Sequence, residues 1–139
     1  MNYRALLVAL GSLPVLIAIG SYVAGEQYEV VVLRTLDDNH HPHDTKLWII
    51  DHEGAPWVRG IRRNLRWIER VRANPRVELV RNGETTARTA SIVETPDEKR
   101  AIDEAIAAKY GWLDRLYELV VPHDTIPIRL DPDGRPPGR

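Results

Sequence analysis

The 139-residue chain has no cysteine and no phenylalanine, and its charge is nearly balanced, with 19 Lys and Arg against 20 Asp and Glu. The lack of cysteine excludes disulfides, thiol nucleophiles and thiolate metal sites, and leaves the compartment open. Without phenylalanine, the four Trp and five Tyr must carry the aromatic packing. A net charge of -1 gives no general attraction to nucleic acid, so none is expected as a partner. There is no internal repeat, no Ser/His/Asp arrangement, no paired-carboxylate spacing and no glycine-rich nucleotide loop. The length allows one domain of ordinary size. Sixteen of the 19 basic residues are arginine, which suits fixed, bidentate contacts with phosphate or carboxylate better than lysine does.

Charge is also missing locally. Ala5 to Gly25 is a run of 21 residues without a charged side chain. As a helix it reaches roughly 30 Å, the thickness of a hydrocarbon core. Tyr3 precedes it, and Tyr22 and Tyr28 mark its far end, where interfacial aromatics belong. Residues 1–27 are therefore expected to form a retained single-pass anchor, with membrane lipid as the partner of residues 5–25. A cleaved signal peptide is the competing reading, with Val23-Ala24-Gly25 a weak cleavage candidate, and a buried helix of a soluble domain is the third. Arg4 lies before the run and Glu26 and Glu29 after it, so the positive-inside bias places the domain on the extracytoplasmic side.

The remainder reads as short strands with two main helices, an α+β pattern. Tyr28–Leu36 is rich in β-branched residues and predicts a strand. Asp37–Asp44 reads as a polar loop, Thr45–Ile50 as a second strand, Asp51–Gly54 as a hairpin turn and Pro56–Ile61 as a third strand. Asn64 is placed to cap a helix that runs to Ala73, with Leu65, Ile68 and Val71 as its apolar stripe. Asn74-Pro75 ends it. Val77–Arg81 and Thr85–Glu94 flank Asn82-Gly83, a strong hairpin signal. Thr95, Pro96 and Glu98 open a second helix with a capping-box pattern, and Gly111 closes it after Tyr110. A short helical piece follows over 112–119. Thr125–Leu130 reads as a last strand on a sheet edge because of its proline. Six short strands around a mid-chain helix favour a small barrel over residues 28–132, with 133–139 a disordered tail.

Three stretches, VVVLRT at 30–35, TKLWIIDHEGAPWVRG at 45–60 and WIERVRANPRVEL at 67–79, resemble the split-barrel proteins related to pyridoxamine-phosphate oxidase, and among them the deazaflavin-dependent nitroreductase branch. The resemblance covers about three quarters of the chain. It implies a six-stranded split barrel that binds a deazaflavin coenzyme or FMN, often as a dimer, so a homodimer is a candidate assembly. It implies an oxidoreductase that transfers hydride to a small organic acceptor such as a quinone or a nitroaromatic. One departure stands out. Many members of the deazaflavin branch carry Gly-Arg-x-Ser-Gly between the first two strands, where this chain reads His40-His41-Pro42-His43-Asp44.

On this reading the cofactor-binding candidates are Lys46, Trp48, Arg59, Arg62, Arg63, Asn64 and Arg66. The resemblance puts the cofactor phosphate at the junction of the third strand and the helix. A helix start offers unpaired N–H groups and partial positive charge, and flanking arginines add charge-assisted bonds. A solvated basic face, or contact with anionic lipid headgroups, explains the same arginines without a cofactor. Trp48, Trp57 and Trp67 are candidates for stacking on a flat ring, with plain core packing as the alternative. Thr35 falls near a ring edge by family position alone. Tyr110 and Tyr117 are read as packing residues before pocket residues. His40, His41 and His43 with Asp37, Asp38 and Asp44 have metal-ligand chemistry but read as a solvated turn, and no metal is assigned. No catalytic acid or base is assigned. Two other classes stay open: a cofactor-free binding or scaffold module on the same fold, and a small metal- or haem-handling protein.

Overall fold

Six runs of alternating inward and outward residues close into one antiparallel barrel in the order β1-β2-β3-β6-β5-β4. The computed structural model describes residues 29–120 and 124–134. The strands are β1 (Val30–Leu36), β2 (Pro42–His52), β3 (Ala55–Gly60), β4 (Arg76–Arg81), β5 (Glu84–Ile92) and β6 (Ile126–Pro132), with helices α1 (Arg66–Ala73), α2 (Pro96–Tyr110) and α3 (Trp112–Val120). Antiparallel pairing of β1 with β4 closes the ring. The expected span over 5–25 lies outside the described residues, and so do Tyr28, His123 and the tail from 135. Among the described residues no helix is long and apolar enough to cross a membrane.

The pleat divides the apolar residues into two cores. Val31, Leu33, Ile49, Val58, Val77, Leu79, Ile126, Ile128 and Leu130 fill the barrel, with Trp67, Ile68 and Val71 of α1 plugging one end. Ile50 and Trp57 face outward and pack under Ile102, Ile106 and Tyr110 of α2. The period-two alternation of the strands and the 3.6-residue period of the helices therefore supply complementary faces. Gly60, at the end of β3, allows the plug to seat: a Cβ there would lie 2.3 Å from Ile68 Cδ1.

The turns follow their expected chemistry. Glu53-Gly54 and Asn82-Gly83 join their hairpins with positive φ at both positions, the backbone that a tight two-residue turn requires. Several expectations need correction. β2 begins at Pro42, so His43 and Asp44 are strand residues, paired with Thr35 and Arg34. The turn before it shrinks to 37–41 because Asp37 Oδ1 accepts the N–H groups of both Asn39 and His41 at 2.9 Å. Leu65, not Asn64, is the N-cap of α1; its backbone is extended, and its carbonyl takes the Ile68 and Glu69 N–H groups. Thr95 caps α2 by position only, because its hydroxyl donates to Glu98 Oε2 at 2.7 Å. β6 is not an edge strand: it pairs with both β3 and β5. Pro127, second in the strand, is accommodated there. Asp133, expected in the tail, is held to Arg76 at 2.8 Å.

Candidate functional site

β2 and β3 form the site by their register. Ile49 pairs with Val58, so Trp48 and Arg59, each one step further along the ladder, come side by side on the outer face. Lys46 shares that face two residues before Trp48. The chain then leaves β3 through Ile61 and enters α1 at Leu65. Between these segments is a cleft of about 370 Å³, lined by Thr45, Lys46, Leu47, Trp48, Arg59, Ile61, Leu65 and Trp67. Four of the sequence candidates, Lys46, Trp48, Arg59 and Trp67, line it directly. Arg62 and Arg66 do not line it; they are the chain neighbours of the lining residues Ile61, Leu65 and Trp67, and both are exposed. Arg66 and Trp67 open α1, where backbone N–H groups have no intrahelical acceptor.

The arginines do not act as one cluster. Arg59 turns its guanidinium away to Asp103 Oδ1 at 3.0 Å and to Asp114 Oδ1. Its side chain is 9% exposed and that of Asp114 1%. Arg63 is held by Asp124 at 2.7 Å and by Glu94, and these two carboxylates, Asp124 first, raise its pKa. Among the described residues Lys46, Arg62 and Arg66 have no carboxylate partner, so of the sequence candidates they are the cations open to an external anion. Asn64 is exposed beside them.

Trp48 stacks on Tyr110 with ring centroids 4.6 Å apart and planes 9° from parallel. The Tyr110 hydroxyl lies 2.7 Å from the Ile49 carbonyl and 2.8 Å from the Glu29 carbonyl, and accepts the Ile49 N–H at 3.1 Å. Burial pushes its pKa up. Tyr110 is thus a packing residue that backs the indole of the cleft. Trp57 and Trp67 are buried in the two cores. Thr35 is fully buried and accepts Arg70 Nε at 2.8 Å. In the histidine turn, His43 Nε2 lies 2.9 Å from Asp37 Oδ2, and that bond, with the backbone N–H groups, holds the Asp37 carboxyl at about 2. No cluster of three possible metal ligands exists among the described residues.

A second cleft, of about 590 Å³, opens at Arg34, His40, Asp44, Arg76 and Glu78. Its cations are neutralised. Arg34 pairs with Asp44 at 2.8 Å and Glu78 at 3.3 Å, and Arg76 with Asp133 at 2.8 Å. Sequence reasoning missed Asp103 and Asp114, the residues that orient Arg59. They lie 44 and 55 positions from it, and no spacing signal links them. Leu65 and Ile61, which complete the cleft, were read only as helix stripe and strand end.

No family model matches the chain, and no curated protein matches it. Solved structures do. A putative pyridoxamine 5'-phosphate oxidase from Listeria innocua is 19% identical, with 84% of this chain and 94% of that one covered at a TM-score of 0.58. An FAD-binding protein from Mesorhizobium loti is 17% identical, with 84% and 87% covered and a TM-score of 0.56. An F420-H2 dependent reductase is 14% identical, with 74% and 94% covered and a TM-score of 0.58. At these identities the likeness is one of fold. The domain shares the six-stranded barrel fold of these proteins, the fold that the sequence resemblance implied.

Proposed function

We propose that this chain is a membrane-tethered oxidoreductase that holds a deazaflavin or FMN in the cleft between β2, β3 and α1 and serves a small organic acceptor such as a quinone or a nitroaromatic. The observation that carries the reading is the composition of that cleft. An indole and a lysine line it, and two arginines without carboxylate partners adjoin its lining residues at a helix start. Such a donor set suits a flat ring bearing a phosphate. Fold likeness to an FAD-binding protein and to an F420-H2 dependent reductase supports the cofactor class.

When bound, such a cofactor supplies the hydride chemistry at its central ring. The protein's own part is binding, orientation and exclusion of water. Lys46, Arg62 and Arg66 hold the phosphate. Trp48, braced by Tyr110, offers a flat apolar surface. Leu47, Ile61 and Leu65 keep the cleft apolar between them. Arg59 shapes the wall and leaves the phosphate to its neighbours. The tether rests on the uncharged run 5–25 and favours an apolar acceptor by location. The domain is assigned to the extracytoplasmic side on the strength of Arg4, Glu26 and Glu29.

Affinities of the full chain for FMN and for riboflavin, which lacks the phosphate, test the assignment. The Lys46→Ala/Arg62→Ala variant is expected to bind FMN at least about tenfold more weakly, the loss expected for charge-assisted bonds. Its riboflavin affinity is expected to stay unchanged. Equal FMN affinity in variant and wild type would remove these residues from the site.

A further inference from the structure

α3 is mounted inside out. On a helix of 3.6 residues per turn, positions 112, 116 and 119 form one stripe, and position 114 lies about half a turn away. In a water-soluble domain the apolar stripe faces the core. Here the inward residue is Asp114, fully buried and joined to Arg59. The outward stripe is Trp112, Leu116 and Leu119, at 64%, 46% and 83% exposure. A single exposed leucine needs no explanation, but a stripe of three on a helix held by its aspartate is an oriented apolar surface.

Its position in the fold points to what covers it. Among the described residues the fourth large apolar side chain left exposed is Val30, at 52%. Its neighbour Glu29 is fixed to the last turn of α2: its carbonyl lies 2.8 Å from the Tyr110 hydroxyl, and its carboxylate 2.6 Å from Lys109 Nζ. Arg81 Nε adds a contact of 2.6 Å. Trp112 follows Tyr110 by two residues. The uncharged run ends at Gly25, four residues before Glu29, a stretch that spans at most about 14 Å. Glu29, which follows the uncharged run in the chain, and Trp112, which opens the apolar stripe, therefore sit at one corner of the domain.

We propose that Trp112, Leu116 and Leu119, with Val30, seat in the interfacial layer of the lipid bilayer that the N-terminal run enters. The proposal rests on reading residues 5–25 as a retained anchor. A tryptophan-bearing amphipathic helix lying in the membrane plane suits that layer. One short helical stripe is well below the roughly 800 Å² per partner of a stable protein interface, which argues against a second copy as the occupant. Arg59 both lines the cleft and holds Asp114, so the membrane seat and the cleft share a side chain.

The test uses the full chain in lipid nanodiscs whose acyl chains carry bromine, which quenches tryptophan emission. Wild type is expected to show a quenched component that Trp112→Phe lacks, and Leu119→Glu is expected to reduce it. Retention on the discs through an alkaline carbonate wash reports the anchor separately. Retained chain with wild type and Trp112→Phe quenched alike would overturn the membrane seat while leaving the anchor intact. Chain washed off the discs would overturn the anchor, and the seat with it. Trp112 shielded from bromine, in a dimer that Leu119→Glu splits, would assign the stripe to a second copy and overturn the proposal.

Discussion

Two of the clefts on this barrel differ in the opposite sense from their sizes. The larger, about 590 Å³, is walled by Arg34 and Arg76, both paired with carboxylates. The smaller, about 370 Å³, has Lys46 in its wall and Arg62 and Arg66 next in the chain to its lining residues, with no carboxylate partner for any of them among the described residues. Volume alone would select the first. Charge left without a partner selects the second, because an arginine already bonded to two carboxylates has little left to offer a phosphate. Arg59 sharpens the point within the smaller cleft: it is a candidate by sequence, yet its guanidinium is committed to Asp103 and Asp114.

The largest effect that tests this contrast falls on Arg59. Asp114→Ala removes a carboxylate from a buried pair and should lower stability by about 3 kcal/mol, at the low end for such a loss because Asp103 remains. Urea unfolding measures it. A double variant, Arg59→Met with Asp114→Leu, should recover most of that loss; a fall as deep as in the single variant would mean the helix needs the ion pair itself. Next comes the basic set. The triple variant Lys46→Ala/Arg62→Ala/Arg66→Ala should weaken FMN binding by about 100-fold with an unchanged unfolding midpoint, since these residues have no carboxylate partner to lose among the described residues. Smaller still is Arg34→Ala in the other cleft. Its partly exposed pairs predict about 0–1 kcal/mol of stability and no change in FMN affinity. A loss of FMN affinity there would move the site to the larger cleft.

The smallest effect is acid sensitivity at the rim of the larger cleft. The His43 imidazole and the turn N–H groups hold Asp37 at about 2, below its ordinary 3.8. A carboxyl lowered on folding contributes stability that is complete above its unfolded pKa and lost as pH falls toward the folded one. The wild-type unfolding midpoint should therefore drop between pH 3.8 and about 2 by slightly more than that of Asp37→Asn. Identical pH profiles would remove the turn from the account.

Most of the barrel was legible because its signals are local. β-branched runs, Asn82-Gly83, Asp51–Gly54, Asn74-Pro75 and Gly111 each act within a few residues, and together they gave the element order. What was illegible depends on distant partners. β2 extends back through His43 because β1 pairs with it, which the polarity of the segment hides. β6 escapes the edge because the barrel closes around it. The candidate cleft was legible only through the hairpin. Lys46, Trp48 and Arg59 do meet at one cleft, as the hairpin register required. Nothing near Arg59 in sequence shows that Asp103 and Asp114 will take its guanidinium. α3 was legible only as a short helical piece, and nothing local shows that Asp114 faces inward while Trp112, Leu116 and Leu119 face out.

The most direct test of the central claim is a fluorescence titration of the folded full chain with FMN and with the deazaflavin coenzyme. The account predicts saturable binding of one of them, with quenching of the Trp48 emission that Trp48→Phe abolishes. Binding of neither, by protein whose circular dichroism shows the intact barrel, would contradict it and leave a binding or scaffold module on a split-barrel fold.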